Sequence, residues 1–157
     1  MQKRIVSALV AALVVLSVGL AAGCGRGVPK SSSPEIQELV QQIVRDLLRD
    51  SVSAACYEQI SGIPLDAVGI QVDYAWLTEK AKTEEEAKSA LEAVNSAMDQ
   101  IQILLENIRT DRLEKEIGRI HCRADVRVGD ATDGIVFTAQ YNDDGDLYVE
   151  VSGFGDE

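Results

Sequence analysis

The spacing of the apolar residues changes near residue 101, and this change constrains the fold more than any other feature of the sequence. Residues 34–56 and 83–101 carry apolar side chains at steps of three and four, the pattern of a helix with one buried face. Beyond residue 101, apolar and polar residues alternate as in half-buried strands. The sequence therefore predicts an α+β fold, with two or three helices on one face of a roughly four-stranded antiparallel meander.

Local signals mark where the two main helices begin. Ser33 is a good N-cap and Pro34 suits the first position of a helix. Thr83 and Glu86 have the spacing of a capping box at the start of the second helix. Between the helices, residues 65–77 combine strand-like alternation with a helical continuation, and we interpret them as a loop or short helix.

Four strands and their turns are predicted in the C-terminal half. The predicted strands cover residues 103–110, 120–128, 135–141 and 147–152. Asp144-Gly145 is a hairpin signal, because glycine adopts positive φ without steric cost, and residues 129–134 supply another turn.

The N-terminal segment has the composition of an export signal. Residues 1–4 form a short basic start, residues 5–22 carry no charge, and Gly23-Cys24 follows. We therefore interpret residues 1–23 as a signal peptide. The alternative is a retained transmembrane anchor, because an apolar run of this length nearly spans a bilayer.

Ala21-Ala22-Gly23-Cys24 resembles the lipobox of bacterial lipoprotein precursors, in which Leu is more common than Ala at the first position. The resemblance implies cleavage before Cys24, a diacylglycerol thioether on its sulfur and acylation of the new amino terminus. Several acyl chains give a stable anchor, since each buried methylene contributes about 0.8 kcal/mol. Gly25 stands where Asp often marks inner-membrane retention, which favours the outer membrane, facing the periplasm.

The remaining chain divides into a short linker and one domain. Residues 24–33 are interpreted as the lipidated cysteine and a flexible tether, and residues 34–157 as a single domain. After cleavage the chain has 13 basic and 26 acidic residues, a net charge of −13. Such a charge disfavours nucleic-acid binding and gives no attraction to anionic lipid, so membrane attachment would depend on the acyl chains.

The two other cysteines are predicted to form a disulfide. An exported protein reaches an oxidising compartment. Cys56 continues the apolar stripe of the first helix, and Cys122 lies on the apolar side of a strand, so both face the expected core. The alternative is a pair of buried free thiols.

Other residues with possible chemistry have simpler structural interpretations. His121 is the only histidine and alternates with the apolar side of its strand, so we expect it to face solvent. The acidic residues 142–146 and 84–86 are interpreted as a hairpin tip and a helix start rather than metal or acid–base sites. Tyr148 is predicted to face solvent as a possible partner contact, whereas Trp76 is expected in the core.

The C-terminal half is similar to an uncharacterised class of envelope lipoproteins. The segments that carry the resemblance are Glu106–Thr110, Cys122–Val126, Asp143–Gly145 and Tyr148–Val151. The resemblance implies a fold and a location but no activity. Without a catalytic, metal or cofactor motif, the sequence favours a non-enzymatic, lipid-anchored binding module with an envelope protein partner. The alternatives are a small enzyme with an Asp/Glu site and an inhibitor or exclusion factor.

Overall fold

A computed structural model describes the chain from residue 27 to residue 153. The elements are α1 (Pro34–Ser61), α2 (Leu65–Val68), α3 (Tyr74–Lys80), α4 (Glu85–Gln100), β1 (Ile103–Glu114), β2 (Arg119–Val128), β3 (Ala131–Tyr141) and β4 (Leu147–Ser152). Helices precede strands, and the strands pair antiparallel in the order β1-β2-β3-β4. The predicted α+β fold with a four-stranded antiparallel meander is therefore confirmed.

Helix α1 begins and ends at the residues that the sequence indicates. The Ser33 hydroxyl accepts a hydrogen bond from the Ile36 amide at 3.4 Å, as an N-cap does. At the other end Gly62 has a φ of 68° and donates its amide to the Glu58 carbonyl at 2.9 Å. The 28 residues between these caps span about 42 Å, which is long enough to contact two separate layers.

The two halves of α1 pack in two different apolar clusters. Ile36, Val40 and Val44 in its first half pack on the sheet, with Phe137 and Ile135 among the buried residues beneath them. Its second half packs against α3 and α4. The buried members of this second cluster are Tyr57, Leu65, Val72, Leu77, Ala87, Ala90, Val94 and Met98. Helix α1 is therefore the main cover of the sheet, and the other helices extend the layer beyond it.

Side-chain hydrogen bonds fix the direction of α1 relative to β1. The Gln41 amide donates to the Ile103 carbonyl at 3.4 Å, near the start of β1. The Thr110 hydroxyl, seven residues further along β1, donates to the Ser31 hydroxyl at 2.9 Å. The later residue of the helical segment, Gln41, thus contacts the start of β1, and the earlier residue, Ser31, contacts a later position of β1. The two elements therefore run antiparallel.

The segment before α1 differs from the flexible tether that the sequence predicts. Pro29 is buried, and the Ser33 amide donates to the Lys30 carbonyl at 2.8 Å. Together with the Thr110–Ser31 hydrogen bond, these contacts hold residues 29–33 against the domain. Gly, Pro and Ser do not themselves indicate packing, so the composition gave no sign of this contact.

The predicted capping box at Thr83 is wrong. Helix α4 starts one residue later, with Glu84 as the N-cap residue and no side-chain cap. Thr83 still belongs to the turn that ends α3, where its amide donates to the Lys80 carbonyl at 3.0 Å and its hydroxyl points to the same carbonyl. The Glu84 carboxylate pairs instead with the Lys80 ammonium at 2.9 Å.

The structure resolves the ambiguity of residues 65–77 in favour of helix. Helix α2 is a single turn ending at Gly69, and α3 begins at Tyr74. Asp73 caps α3, since its carboxylate accepts from the Trp76 amide at 2.7 Å. The alternation of Val68, Ile70 and Val72 does not correspond to a strand, because the segment has no partner strand among the described residues.

Strand β1 is longer and less regular than predicted, because it continues to Glu114 instead of ending at residue 110. The register between β1 and β2 shifts twice, between Glu106 and Arg109 and between Thr110 and Arg112. Asn107, inside the first shift, has a φ of 51°. Positive φ is uncommon outside glycine, but asparagine adopts it more readily than most other residues. These bulges interrupt the alternation of apolar and polar residues, so the sequence does not predict a strand in the later half of β1.

Candidate functional site

The sheet has one face under α1 and a second face that carries polar and charged side chains. We call the second one the open sheet face. Its principal residues are Glu106, Asp111, Arg112, Glu114, Arg119, His121, Arg123, Asp125, Arg127, Val136, Thr138, Gln140, Tyr148, Glu150 and Ser152. Within residues 27–153 no helix packs on this face. Successive side chains of a strand point to opposite faces, so the alternation that buries the core also builds this surface.

Two arginines of β2 form two-nitrogen contacts with carboxylates of β1. Arg123 reaches Asp111 with Nε at 2.7 Å and a terminal nitrogen at 3.1 Å. Arg127 reaches one oxygen of Glu106 at 3.2 and 2.7 Å. The hydrogen bond from Arg123 is the main cause that lowers the pKa of Asp111, and the same bond raises the pKa of Arg123. These contacts orient the guanidinium groups on the face.

The bulges in β1 determine which side chains meet. Arg109 lies opposite Arg123 in the register, a pairing of like charges that is unfavourable by itself. The extra residues in β1 bring Asp111 within reach of the same arginine. At the first bulge the Asn107 amide donates to the Asp125 carboxylate at 2.6 Å. The irregular half of β1 thus provides compensating partners for β2.

His121 lies on the open sheet face, as the alternation predicts. Its Nε2 is 2.9 Å from a Glu114 oxygen and 3.1 Å from an Arg112 nitrogen. Arg112 also pairs with Glu114, so the three side chains form one cluster. The ring nitrogen Nε2 thus contacts both members of the Arg112–Glu114 ion pair, and the cluster joins β1 to β2.

Tyr148 is exposed on β4, where the sequence places it. About half of the residue is accessible, and its hydroxyl donates to the Glu150 carboxylate at 3.1 Å. This hydrogen bond is the main cause that raises the pKa of Tyr148. Thr138 on β3 donates to the other oxygen of Glu150 at 3.4 Å, and the neighbouring Val136 is also exposed. An aromatic ring and an aliphatic side chain are thus accessible beside a fixed carboxylate.

The predicted Cys56–Cys122 disulfide is wrong in this structure, where both cysteines are free. Cys122 belongs to the cluster under the sheet and contacts Thr110 at 3.7 Å, close to Ser31. Cys56 lies 22 residues beyond the start of α1, which is about 33 Å along a helix, and packs in the second cluster. A disulfide needs Cα atoms within about 7 Å. The prediction failed because it assumed one core along the whole of α1.

The other residues singled out in the sequence have structural roles. Trp76 is half-buried and packs edge-on against Tyr57 with ring centroids 5.1 Å apart. Asn142 closes the β3–β4 turn, because its side-chain oxygen accepts from the Asp146 amide at 2.8 Å. In the described part of the chain, no three His, Cys, Asp or Glu side chains are grouped closely enough to hold a metal ion. Cys24, the predicted lipidation site, lies outside the described residues.

A groove runs along the edge of the sheet beside β4. It has a volume of about 500 Å³ and is open to solvent. Its lining includes Ile43 of α1, Val151 of β4 and the carboxylate residue Glu150. The groove borders the open sheet face at Val136 and Glu150, so the two form a continuous accessible region.

Sequence reasoning found the exposure of Tyr148 and His121 but missed the ion-pair network around them. The signal in the sequence was the run Arg119, His121, Arg123, Asp125 and Arg127 on the polar side of one strand. It shows that a charged face exists. It does not show which carboxylates of β1 meet these side chains, because that depends on the two register shifts.

Comparison of this chain with protein-family models, with curated proteins and with solved structures gives no match. Between residues 27 and 153, no helix is long and apolar enough to cross a bilayer.

Proposed function

We propose that this protein is a lipid-anchored envelope protein, without enzymatic activity, that binds a protein partner through its open sheet face. The observation that supports binding is an uncovered sheet surface on which Tyr148 and Val136 are accessible among oriented arginines. The proposed anchor is the acylated Cys24 in the outer membrane, with the domain in the periplasm. The sequence features that support it are the uncharged run 5–22 and the lipobox-like Ala21–Cys24.

The composition of the open sheet face is suited to protein recognition. Interfaces are enriched in Tyr and Arg, and a few such residues provide most of the binding energy. Arg123 and Arg127 are already held by carboxylates, so their side chains lose little additional conformational freedom on binding. An exposed aromatic on the same face as pre-oriented guanidinium groups would meet a partner surface that offers an apolar contact and hydrogen-bond acceptors.

Binding is preferred over an enzyme with an Asp/Glu site on the basis of the carboxyl groups themselves. A general acid needs a pKa raised toward neutrality, usually by burial away from cations. Asp111 shows the opposite shift, since Arg123 lowers its pKa. Glu106 and Glu114 are likewise engaged with arginines, and the groove beside β4 is open rather than enclosed. A binding protein that inhibits its partner would use the same surface.

The anchor is tested by acyl labelling in cells. Wild-type protein should incorporate labelled palmitate and mature to a chain that starts at Cys24. Cys24→Ser should remove the label and leave the precursor uncleaved, whereas Cys56→Ser should be labelled normally, because Cys56 lies inside the folded domain. Normal processing of Cys24→Ser would contradict the anchor.

The interaction surface is tested by photo-crosslinking in the native cell. A photoreactive phenylalanine at position 148 should yield a discrete adduct, whereas the same group at exposed Gln59 on α1 should not. Arg123→Glu should weaken the adduct at position 148, because it reverses a charge on the same face. Equal yields of crosslinked product at positions 148 and 59, or no crosslinked product at position 148, would contradict the proposed surface.

A further inference from the structure

We propose that the tip of the β1–β2 hairpin, residues 113–118, is a second contact with the phospholipid bilayer. The inference rests on the proposed lipid anchor at Cys24 and adds the orientation in which the anchored domain meets the membrane. It comes from three observations: the short chain between the anchor and the domain, the end of the sheet at which that chain emerges, and the side chains at that end.

The chain between the lipid and the folded domain is short. Pro29 is buried and residues 30–33 are held by hydrogen bonds, so only the five residues 24–28 precede the first buried residue. Fully extended, five residues span at most about 17 Å. An acylated Cys24 in the bilayer surface therefore keeps Pro29 within about 17 Å of the lipid headgroups, so some part of the domain must face the membrane closely.

The direction of the chain identifies which part of the domain that is. Helix α1 runs antiparallel to β1, with Gln41 bonded near the start of β1 and Ser31 bonded to Thr110. The residues that precede α1 therefore lie toward the C-terminal end of β1. From Thr110, the last residue of β1 is four residues further on, about 13 Å along a strand. The hairpin tip and residues 29–33, which the proposed anchor precedes in the chain, thus lie at the same end of the sheet.

The side chains at this tip suit a membrane interface. Leu113 is 41% exposed and Ile117 is 52% exposed. Arg112, Lys115 and Arg119, together with Glu114 and Glu116, give residues 112–119 a net charge of +1. Lys115 can place its apolar stem in the interface and its ammonium at the phosphates, whereas Arg112 is paired with Glu114. Residues 103–128 contain six of the 13 basic residues of the mature chain and five acidic residues. Residues 129–157 contain no Lys or Arg.

Charge also decides how the domain would tilt. The acidic β3–β4 turn, residues 142–146, lies at the same end of the sheet, two strands away or about 10 Å. Its carboxylates would be repelled by anionic headgroups. The domain would therefore lean toward β1 and β2, with the β3–β4 turn raised from the surface. The open sheet face would then stand roughly upright and remain accessible to a partner.

Two exposed apolar residues lie at the end of α1 farthest from the anchor. Ile60 and Ile63 are exposed at the opposite end of α1, about 40 Å from its start. In the upright orientation proposed above, with the hairpin tip on the bilayer, this end of α1 lies tens of ångströms away from it. Ile63 therefore provides a matched control of the same residue type.

The test uses the complete lipidated protein in vesicles of phosphatidylethanolamine and phosphatidylglycerol with brominated acyl chains, which quench tryptophan at short range. In a Trp76→Phe background, Ile117→Trp reports on the hairpin tip and Ile63→Trp on the control position. We expect at least severalfold stronger quenching at position 117 than at position 63. Circular dichroism and melting curves establish that both variants are folded.

The outcomes separate the two proposals. Equal quenching at positions 117 and 63 in protein that mass spectrometry shows to be acylated would overturn the hairpin contact and leave the anchor intact. A mature chain without acyl groups would overturn both. As a second measurement, Leu113→Ser with Ile117→Ser should increase protease cleavage within residues 112–119 of the vesicle-bound protein, and unchanged cleavage would also contradict the hairpin contact.

Discussion

Arg123 on β2 holds the carboxylate of Asp111 on β1 through two nitrogens, at 2.7 and 3.1 Å, although the residue directly opposite Arg123 is Arg109. The irregularity of β1 makes this contact possible. The first register shift places Arg109 opposite Arg123, and this pairing of like charges is unfavourable. The Asp111 carboxylate offsets it, so the bulges determine the charge pattern of the open sheet face.

The first prediction concerns the pH dependence of this pair. Because Arg123 lowers the pKa of Asp111 in the folded protein, its contribution to stability is present above the ordinary carboxyl pKa of 3.8 and is lost as pH falls below it. Asp111→Asn should therefore lower the melting temperature slightly at pH 7 and leave it unchanged near pH 2. Thermal melts across this range measure the difference.

The matched control for that experiment is Asp130→Asn, in the exposed β2–β3 turn. This substitution removes the same charge without removing the Arg123 contact. A pH-dependent difference of equal size in both variants would mean that net charge, rather than the ion pair, causes the effect.

The second prediction tests the division of the sheet into two faces. Phe137 is 1% exposed in the cluster under α1, whereas its neighbour Val136 is 43% exposed on the open sheet face. Phe137→Ala should lower the free energy of unfolding by about 3–5 kcal/mol, because it leaves a cavity. Val136→Ala should change it by less than about 1 kcal/mol. Urea denaturation measures both, and similar losses would contradict the orientation of β3.

Most of the fold could be predicted from the sequence, because the spacing of apolar residues distinguishes a helix from a half-buried strand. Residues 120–128 alternate without interruption, and the structure has a strand at 119–128. Ser33 and Pro34 marked the start of α1 correctly. These features are local, so each can be recognised from a few neighbouring residues.

Features that depend on tertiary contacts could not be predicted in this way. The extension of β1 to Glu114 contains two bulges, and a bulge shifts the apolar positions onto the other face. The contact between Ser31 and Thr110 joins residues 79 positions apart, and no local pattern encodes it. The same reason explains the ion pairs of the open sheet face, whose partners are set by the register.

The third prediction concerns the cap of α1. Ser31, Ser32 and Ser33 are consecutive, but only the Ser33 hydroxyl accepts from the Ile36 amide. Ser33→Ala should lower the free energy of unfolding by about 0.5–2 kcal/mol, at the lower end because the hydrogen bond is 3.4 Å long. Ser32→Ala, with the same change of side chain at an exposed position, should have little effect. Chemical denaturation of the two variants compares them, and equal losses would contradict Ser33 as the N-cap.

The last prediction concerns the two cysteines of the domain, which the structure places in different clusters. Alkylation of the denatured, unreduced protein should modify both Cys56 and Cys122, and a reductant should leave the melting temperature unchanged. In the native protein, partly exposed Cys56 should react before Cys122, which is fully buried. Burial raises the pKa of both thiols, so both reactions should be slower at pH 8 than that of a free cysteine. Cys56→Ala should abolish the faster phase and keep the slower one. A peptide map with the two cysteines joined would refute the separation of the two clusters along α1.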